Sequence, residues 1–231
     1  MTMAPARLQK ARIGPHAVLD EGLFLNALSG RKTTSARALI VGPRARIRFG
    51  SVLYAGTRIG GHFETGHHVV IREENRIGDD VSIWNNTTID YGCVIGRRVK
   101  IHCNCYIAQY SILEDDVFLA PGVTLANDLF PGSPHAGRVL QGPVIGKGAQ
   151  VGVNATILPG VKIGARALIG AGSVVTQDVP ESAVAWGNPA RVYKNRKDLL
   201  WPADYFLSRP DTQKFYQKRL AGRPVFDFDQ L

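Results

Sequence analysis

Aliphatic side chains return at every sixth position of this chain, and no other feature constrains its fold as tightly. From Val41 the series runs through Ile47, Leu53, Ile59, Ile71, Ile77, Ile83, Ile89, Ile95, Ile101, Ile107, Leu113 and Leu119 to Leu125, with only Thr65 out of character. It resumes at Ile145 and continues through Val151, Ile157, Ile163 and Ile169 to Val175. A period of six is neither the 3.6 of a helix nor the alternation of a half-buried strand. It marks a repeat architecture, an all-β solenoid with one short strand and one turn per hexapeptide.

The position four residues after each aliphatic is usually small or β-branched, as at Ala45, Thr57, Thr87, Cys93, Cys105, Ser111, Ala149, Ala155 and Ser173, with Phe63 and Asn75 as departures. One bulky and one small residue per face fill a narrow interior without voids. Gly often follows the aliphatic, and Asp79-Asp80, Arg97-Arg98 and Pro121-Gly122 stand where turns are expected. Three hexapeptides make one triangular coil, so residues eighteen apart stack at a spacing of roughly 4.8 Å. A rod of this kind has an exposed edge at each end that must be capped.

The spacing divides the chain into three parts. Residues 1–40 form an N-terminal cap and partial first coil, with Ile13–Val18 as one early hexapeptide and the register lost through Leu23–Ala38. Residues 41–180 form the β-helix. The slot expected at 131 arrives only at Ile145, which leaves an inserted loop over 127–143. Long loops inside regular rods are more often functional than decorative. Residues 181–231 form a C-terminal tail with short helices, read near Arg196–Leu207 and Thr212–Leu220.

At 231 residues the chain is large enough for one continuous core. Its net charge of +9 agrees with an anionic ligand, since a basic cleft raises the local concentration of anions. Nothing resembles a groove-reading helix or an aromatic RNA-binding strand, so nucleic acid is not an expected partner. Cys93 and Cys105 fall in the small inward slot and read as core filler, whereas Cys103 faces outward. No metal-type cysteine pair, apolar leader or membrane-spanning stretch occurs, and the expectation is a cytoplasmic protein with no membrane partner and no bound metal.

Stacking by eighteen gathers chemistry on one corner. His67, Asn85 and Cys103 form one column; His68, Asn86 and Asn104 the next; Gly66, Trp84 and His102 a third. A neutral imidazole there can take a proton from an attacking amine or hydroxyl. Asn side chains can orient a sugar or stabilise an oxyanion. Asn columns also form side-chain ladders between stacked strands, a purely structural role.

The hexapeptide pattern resembles the left-handed parallel β-helix of the hexapeptide-repeat acyltransferases, over about residues 41–193. The handedness comes from the resemblance. The run Val144–Ala149, Gly152–Gly160, Ile169–Pro180 and Gly187-Asn188-Pro189-Ala190-Arg191 looks like the ending of the coenzyme-A-dependent members. That likeness implies acetyl-CoA as co-substrate, lying along these coils between subunits of a homotrimer. It implies a cofactor set of Ala126, Gly152, Ala171, Arg191 and Lys194. Ile83–Thr87, Glu114–Val123 and Ala126-Asn127-Asp128 look like the nucleotide-linked amino-sugar N-acetyltransferases of surface-polysaccharide pathways. The implied reaction moves an acetyl group from acetyl-CoA to the amine of a dTDP- or UDP-linked sugar. His67, His102 and Asn85 are the candidate catalytic residues. His68, Trp84, Asn86, Asn104, Asn127 and Asp128 are candidate substrate contacts, and the loop after Asn127 is expected to close on the ligands.

Two other readings are open at this level. Acetyl transfer to a hydroxyl of a sugar or xenobiotic would make the histidines essential as bases. A zinc protein like the β-helical carbonic anhydrases would use His62, His67 and His102, but here the closely spaced pair precedes the single His, the reverse of that family's order.

Overall fold

A computed structural model describes residues 10–31 and 38–199 of the chain. Almost every strand is two residues long, and within the coils the second is the buried aliphatic. Three parallel sheets result, of eight, ten and eight strands among the described residues. Outside the two excursions each coil strand pairs with the one eighteen residues away: Ser82 and Ile83 stand against Lys100 and Ile101, and Thr88 and Ile89 against Tyr106 and Ile107. The sheet containing Ile77 and Ile95 is here the first, that containing Ile83 and Ile101 the second, and that containing Ile89 and Ile107 the third. The corner that follows each sheet takes its number.

The periodic spine forms a single buried column, with Ile47, Leu53, Ile71, Ile83, Ile89, Ile101 and Ile107 fully inaccessible. Departures from the pattern have physical reasons. Phe63 fills a small slot, while Thr65, two residues on and on the same inward face, gives up the volume. The Thr65 hydroxyl accepts the Arg48 amide at 2.9 Å. Hydroxyls in the small slot return their protons to the backbone, Thr87 to the His102 carbonyl at 2.8 Å and Ser111 to that of Ala108 at 2.7 Å. Buried Asn75 donates to the Arg72 carbonyl and accepts from the Cys93 amide. Cys93 and Cys105 are buried as expected, and burial pushes their thiols up to about 12 and about 11.

Corners are equally regular. One residue in each turn is left-handed, for example Arg44, His62, Asp80, Arg98 and Asp116 at the first corner and Gly50, His68, Asn86, Asn104 and Asn154 at the second. Asn, Asp, His and Gly tolerate this conformation better than other residues do.

The structure departs from the sequence reading at both ends. Ile13, Leu19 and Leu25 pair with Val41, Ile47 and Leu53, so residues 12–27 already form a complete coil. The excursion begins only after Ala27, at the third corner. At the other end, Ala183–Gly187 joins the second sheet beside Leu168–Ile169, and Ala190–Asn195 folds back antiparallel upon it. This hairpin, where no strand was expected, covers the open edge of that sheet. The chain divides at residue 196, and of the second unit only 197–199 are among the described residues. Apart from the 3-10 turn Arg196–Asp198, the expected tail helices lie outside them. No described helix is long and apolar enough to cross a membrane.

Candidate active site at the second corner

Nine of the residues singled out from the sequence meet on consecutive coils at the second corner. Gly66, Trp84 and His102 follow the spine residues of the second sheet. His67, Asn85 and Cys103 come next, then His68, Asn86 and Asn104, as the register dictates. His102 is half-buried. Its ring lies 5.0 Å from Phe118 and 6.4 Å from Trp84, tilted against both. Burial, with the charge of Lys100 nearby, lowers its pKa below the ordinary 6.5. The imidazole is therefore neutral at pH 7 and able to accept a proton. His67 is exposed, with its ring 6.5 Å from that of His68.

Asn85 has divided duties. Its Oδ1 accepts the His67 amide at 2.9 Å. Asp79 and Asp115 use their carboxylates in the same way on Gly61 and Arg97 at the first corner. The oxygen end thus belongs to the coil ladder, and the Nδ2 donor of this exposed residue has no protein partner among the described residues. His68, Asn86 and Asn104 occupy the left-handed turn position, with φ of 55, 58 and 59°. Their backbone accounts for their residue types whether or not they touch a ligand.

The expected cofactor residues are spread more widely. Gly152 continues the Gly66–Trp84–His102 column, and a Cβ there would sit 2.6 Å from the Ala171 amide, so coil packing alone demands glycine. Ala171 is exposed on the next coil. Arg191 and Lys194 are exposed on the terminal hairpin, where Arg191 donates to the Ala190 carbonyl. Trp186 stacks on Tyr193, centroids 4.1 Å apart, and its Cβ abuts Gly170 in the same column. A run of small residues, Ala120, Gly152 and Gly170, thus lies along this corner, with aromatic groups at either end.

Ala126, Asn127 and Asp128 lie at the third corner, across the third sheet from the histidines. Within one chain the two groups do not meet. Asn127 is buried: its carbonyl accepts the Gln141 amide at 2.8 Å, and its Nδ2 donates to the Gln109 side chain at 2.5 Å. Asp128 accepts from the Phe130 amide in a local turn. Both shape the stem of the loop, whose Leu129, Phe130 and Val139 are exposed. Phe118 and Lys100, which set the state of His102, were missed in the sequence. Their signal was available, since both are outward-facing strand residues stacked eighteen apart. His62 sits at the first corner beside Arg44, away from His67 and His102. Among the described residues no group of His, Cys, Asp and Glu could hold a metal ion.

Residues 142–177 match the family described as bacterial transferase hexapeptide (six repeats). Galactoside O-acetyltransferase of Escherichia coli (strain K12) is 37% identical over 130 residues, 53% of this chain and 64% of that protein. The dTDP-3-amino-3,6-dideoxy-alpha-D-galactopyranose 3-N-acetyltransferase of Aneurinibacillus thermoaerophilus is 53% identical over 49 residues, 21% of this chain and 26% of that one. The chain therefore spans less than two thirds of the length of either curated relative. LpxA, a UDP-N-acetylglucosamine acyltransferase from Bacteroides fragilis 9343, superposes with a TM-score of 0.67 over 98% of this chain and 93% of its own. At 15% identity that likeness speaks for the fold, the left-handed β-helix, and for nothing further. Repeat, coil register and relatives agree: residues 142–177 carry the bacterial transferase hexapeptide repeat, and the chain as a whole is similar to acetyltransferases built on it.

Proposed function

We propose that the protein transfers an acetyl group from acetyl-CoA to the amine of a dTDP- or UDP-linked amino sugar, with His102 as the base. The carrying observation is the neutral, half-buried imidazole between Trp84 and Phe118, with Asn85 one coil before it and one turn position on. The 49-residue likeness to a dTDP-amino-sugar N-acetyltransferase supports the acceptor class. In this reading the amine nitrogen attacks the thioester carbonyl carbon and the C–S bond breaks. The amine proton passes to the imidazole, directly or through water, and then to the departing thiolate. Asn85 Nδ2 is the donor placed to meet the oxyanion. His67 lines the approach, and Trp84, His68, Asn86 and Asn104 offer the sugar a polar and aromatic wall. The run of small residues past Gly152 and Ala171 takes the pantetheine arm, with Arg191 and Lys194 toward the phosphates. Holding thioester and amine along one corner is a proximity effect.

The family resemblance supports a homotrimer in which a neighbour's loop 127–143 approaches this corner. Such an arrangement would bring Asn127 and Asp128 to a site they do not reach within their own chain. Acetylation of a sugar hydroxyl is the second reading, favoured by the longer likeness to a galactoside O-acetyltransferase. The test is thiol release from acetyl-CoA with a panel of nucleotide-linked amino sugars and simple galactosides, followed by mass spectrometry of the products. N-acetylated nucleotide sugar is expected. Exclusive O-acetylation would replace the first reading by the second, and no thiol release with any acceptor would defeat both.

A further inference from the structure

The third corner carries an arrangement that the proposed chemistry does not use. Three side chains there, Glu73, Asp90 and Asn127, are nearly inaccessible at 1, 6 and 9% exposure. Buried charges are costly unless paired. Apolar residues serve at equivalent turn positions on other coils, such as Ala108 and Ala126 in the column of Asp90, so the fold itself does not require the charges.

Their contacts form one unbroken series. In the N-terminal excursion, Ser29 donates to Glu73 at 2.7 Å, and Arg31 meets the same carboxylate at 3.0 Å as an ion pair rather than a directed hydrogen bond. Arg72 donates to Glu73 at 2.9 Å and reaches Asp90 at 3.6 Å. Gln109 donates to Asp90 at 2.5 Å and accepts from Asn127 at 2.5 Å. Asn127 closes the loop stem through Gln141.

We infer that this series is a brace through which the N-terminal excursion fixes the loop 127–143, and that Asp90 and Gln109 are positioning residues for the acceptor. The assignment to the acceptor rests on the reading that this loop covers the ligands. The brace itself does not. Gln109 is the necessary joint, because among the described residues its amide is the one group that both donates toward Asp90 and accepts from the loop.

Arg138 supplies an assay independent of activity, being the one Lys or Arg between 127 and 143 and exposed. Cleavage by trypsin after Arg138 follows the open population of the loop. Gln109→Leu is expected to speed that cleavage about tenfold, as befits losing both contacts of the joint. Arg31→Met, at the far end, is expected to speed it about threefold. The double variant should cleave no faster than Gln109→Leu alone, since the brace is already cut. If Gln109→Leu does not fold, Gln109→Glu keeps the acceptance from Asn127 but replaces the donation to Asp90 by carboxylate repulsion, and is read in the same way. Unchanged cleavage in Arg31→Met, or additive effects in the double variant, would overturn the brace. Steady-state kinetics then address the second half: a raised acceptor KM with an unchanged acetyl-CoA KM supports the positioning role. An unchanged acceptor KM in a variant with faster cleavage overturns that role while leaving acyl transfer, read by thiol release, standing.

Discussion

The second and third corners are built on the same turn and differ in what their polar groups do. At the third, buried Glu73, Asp90 and Asn127 are tied together through half-buried Arg72 and Gln109. At the second, His67, His102 and Asn85 keep ring nitrogens and an amide donor available, and only the Asn85 oxygen is committed to the ladder. A saturated network holds shape, whereas an unsaturated one can accept a proton or a ligand. Density of polar residues alone does not distinguish a site from a strut; the count of unspent donors and acceptors does.

That contrast can be broken in graded steps. The largest effect is expected from Glu73→Leu, which leaves Arg31 and Arg72 without their shared counter-charge and should cost about 3 kcal/mol of stability, read from the urea midpoint. The same residue predicts an acid response. Burial alone would raise the Glu73 pKa, but hydrogen bonds from Arg72 and Ser29 outweigh it and hold the carboxylate below its ordinary 4.5. Its contribution is fully present above 4.5 and is lost as pH falls through the lower folded-state value. A wild-type urea midpoint that stays flat on acidification through that range, or a Glu73→Leu variant as stable as wild type, would deny the third corner its structural role.

Next in size is His102→Ala, for which turnover should fall about 100-fold, roughly 2.7 kcal/mol of barrier, with the acetyl-CoA KM nearly unchanged. In the wild type kcat/KM should be full at pH 7 and decline on acidification with a midpoint below 6.5, because the folded imidazole is harder to protonate than a free one. A midpoint above 6.5 would remove His102 from the role of base. The smallest effect sharpens the comparison from outside. Asp116→Asn cuts a carboxylate that meets Arg98 on the open first corner, and water replaces what is lost. Neither the urea midpoint nor the turnover should move measurably.

The spine was legible because a six-residue register survives in composition alone. Its slots are the buried residues of the structure from Val41 to Val175. Only one hexapeptide of the first coil, Ile13–Val18, was legible, because the excursion after Ala27 shifts Ile13, Leu19 and Leu25 out of phase with Val41, although they stack on the next coil in register. The terminal hairpin escaped because Ala183–Asn195 has no period of six to show. At the candidate site, stacking by eighteen foretold the columns correctly. It could not separate His68, Asn86 and Asn104, whose types answer to a left-handed backbone, from His102, whose state answers to Phe118 and Lys100. The third-corner network left a faint trace, opposite charges eighteen apart at Arg72 and Asp90. Its continuation through Gln109 needs three dimensions, since amides advertise no sign.

The uniform turn at each corner gives the molecule a graduated scale. Excising one whole coil between His102 and the terminal hairpin would bring Trp186 closer to the imidazole by one notch, about 4.8 Å, while every face kept its compass bearing. Reach along the rod is thereby an adjustable dimension of this protein, changed in whole notches without touching the chemistry at either end.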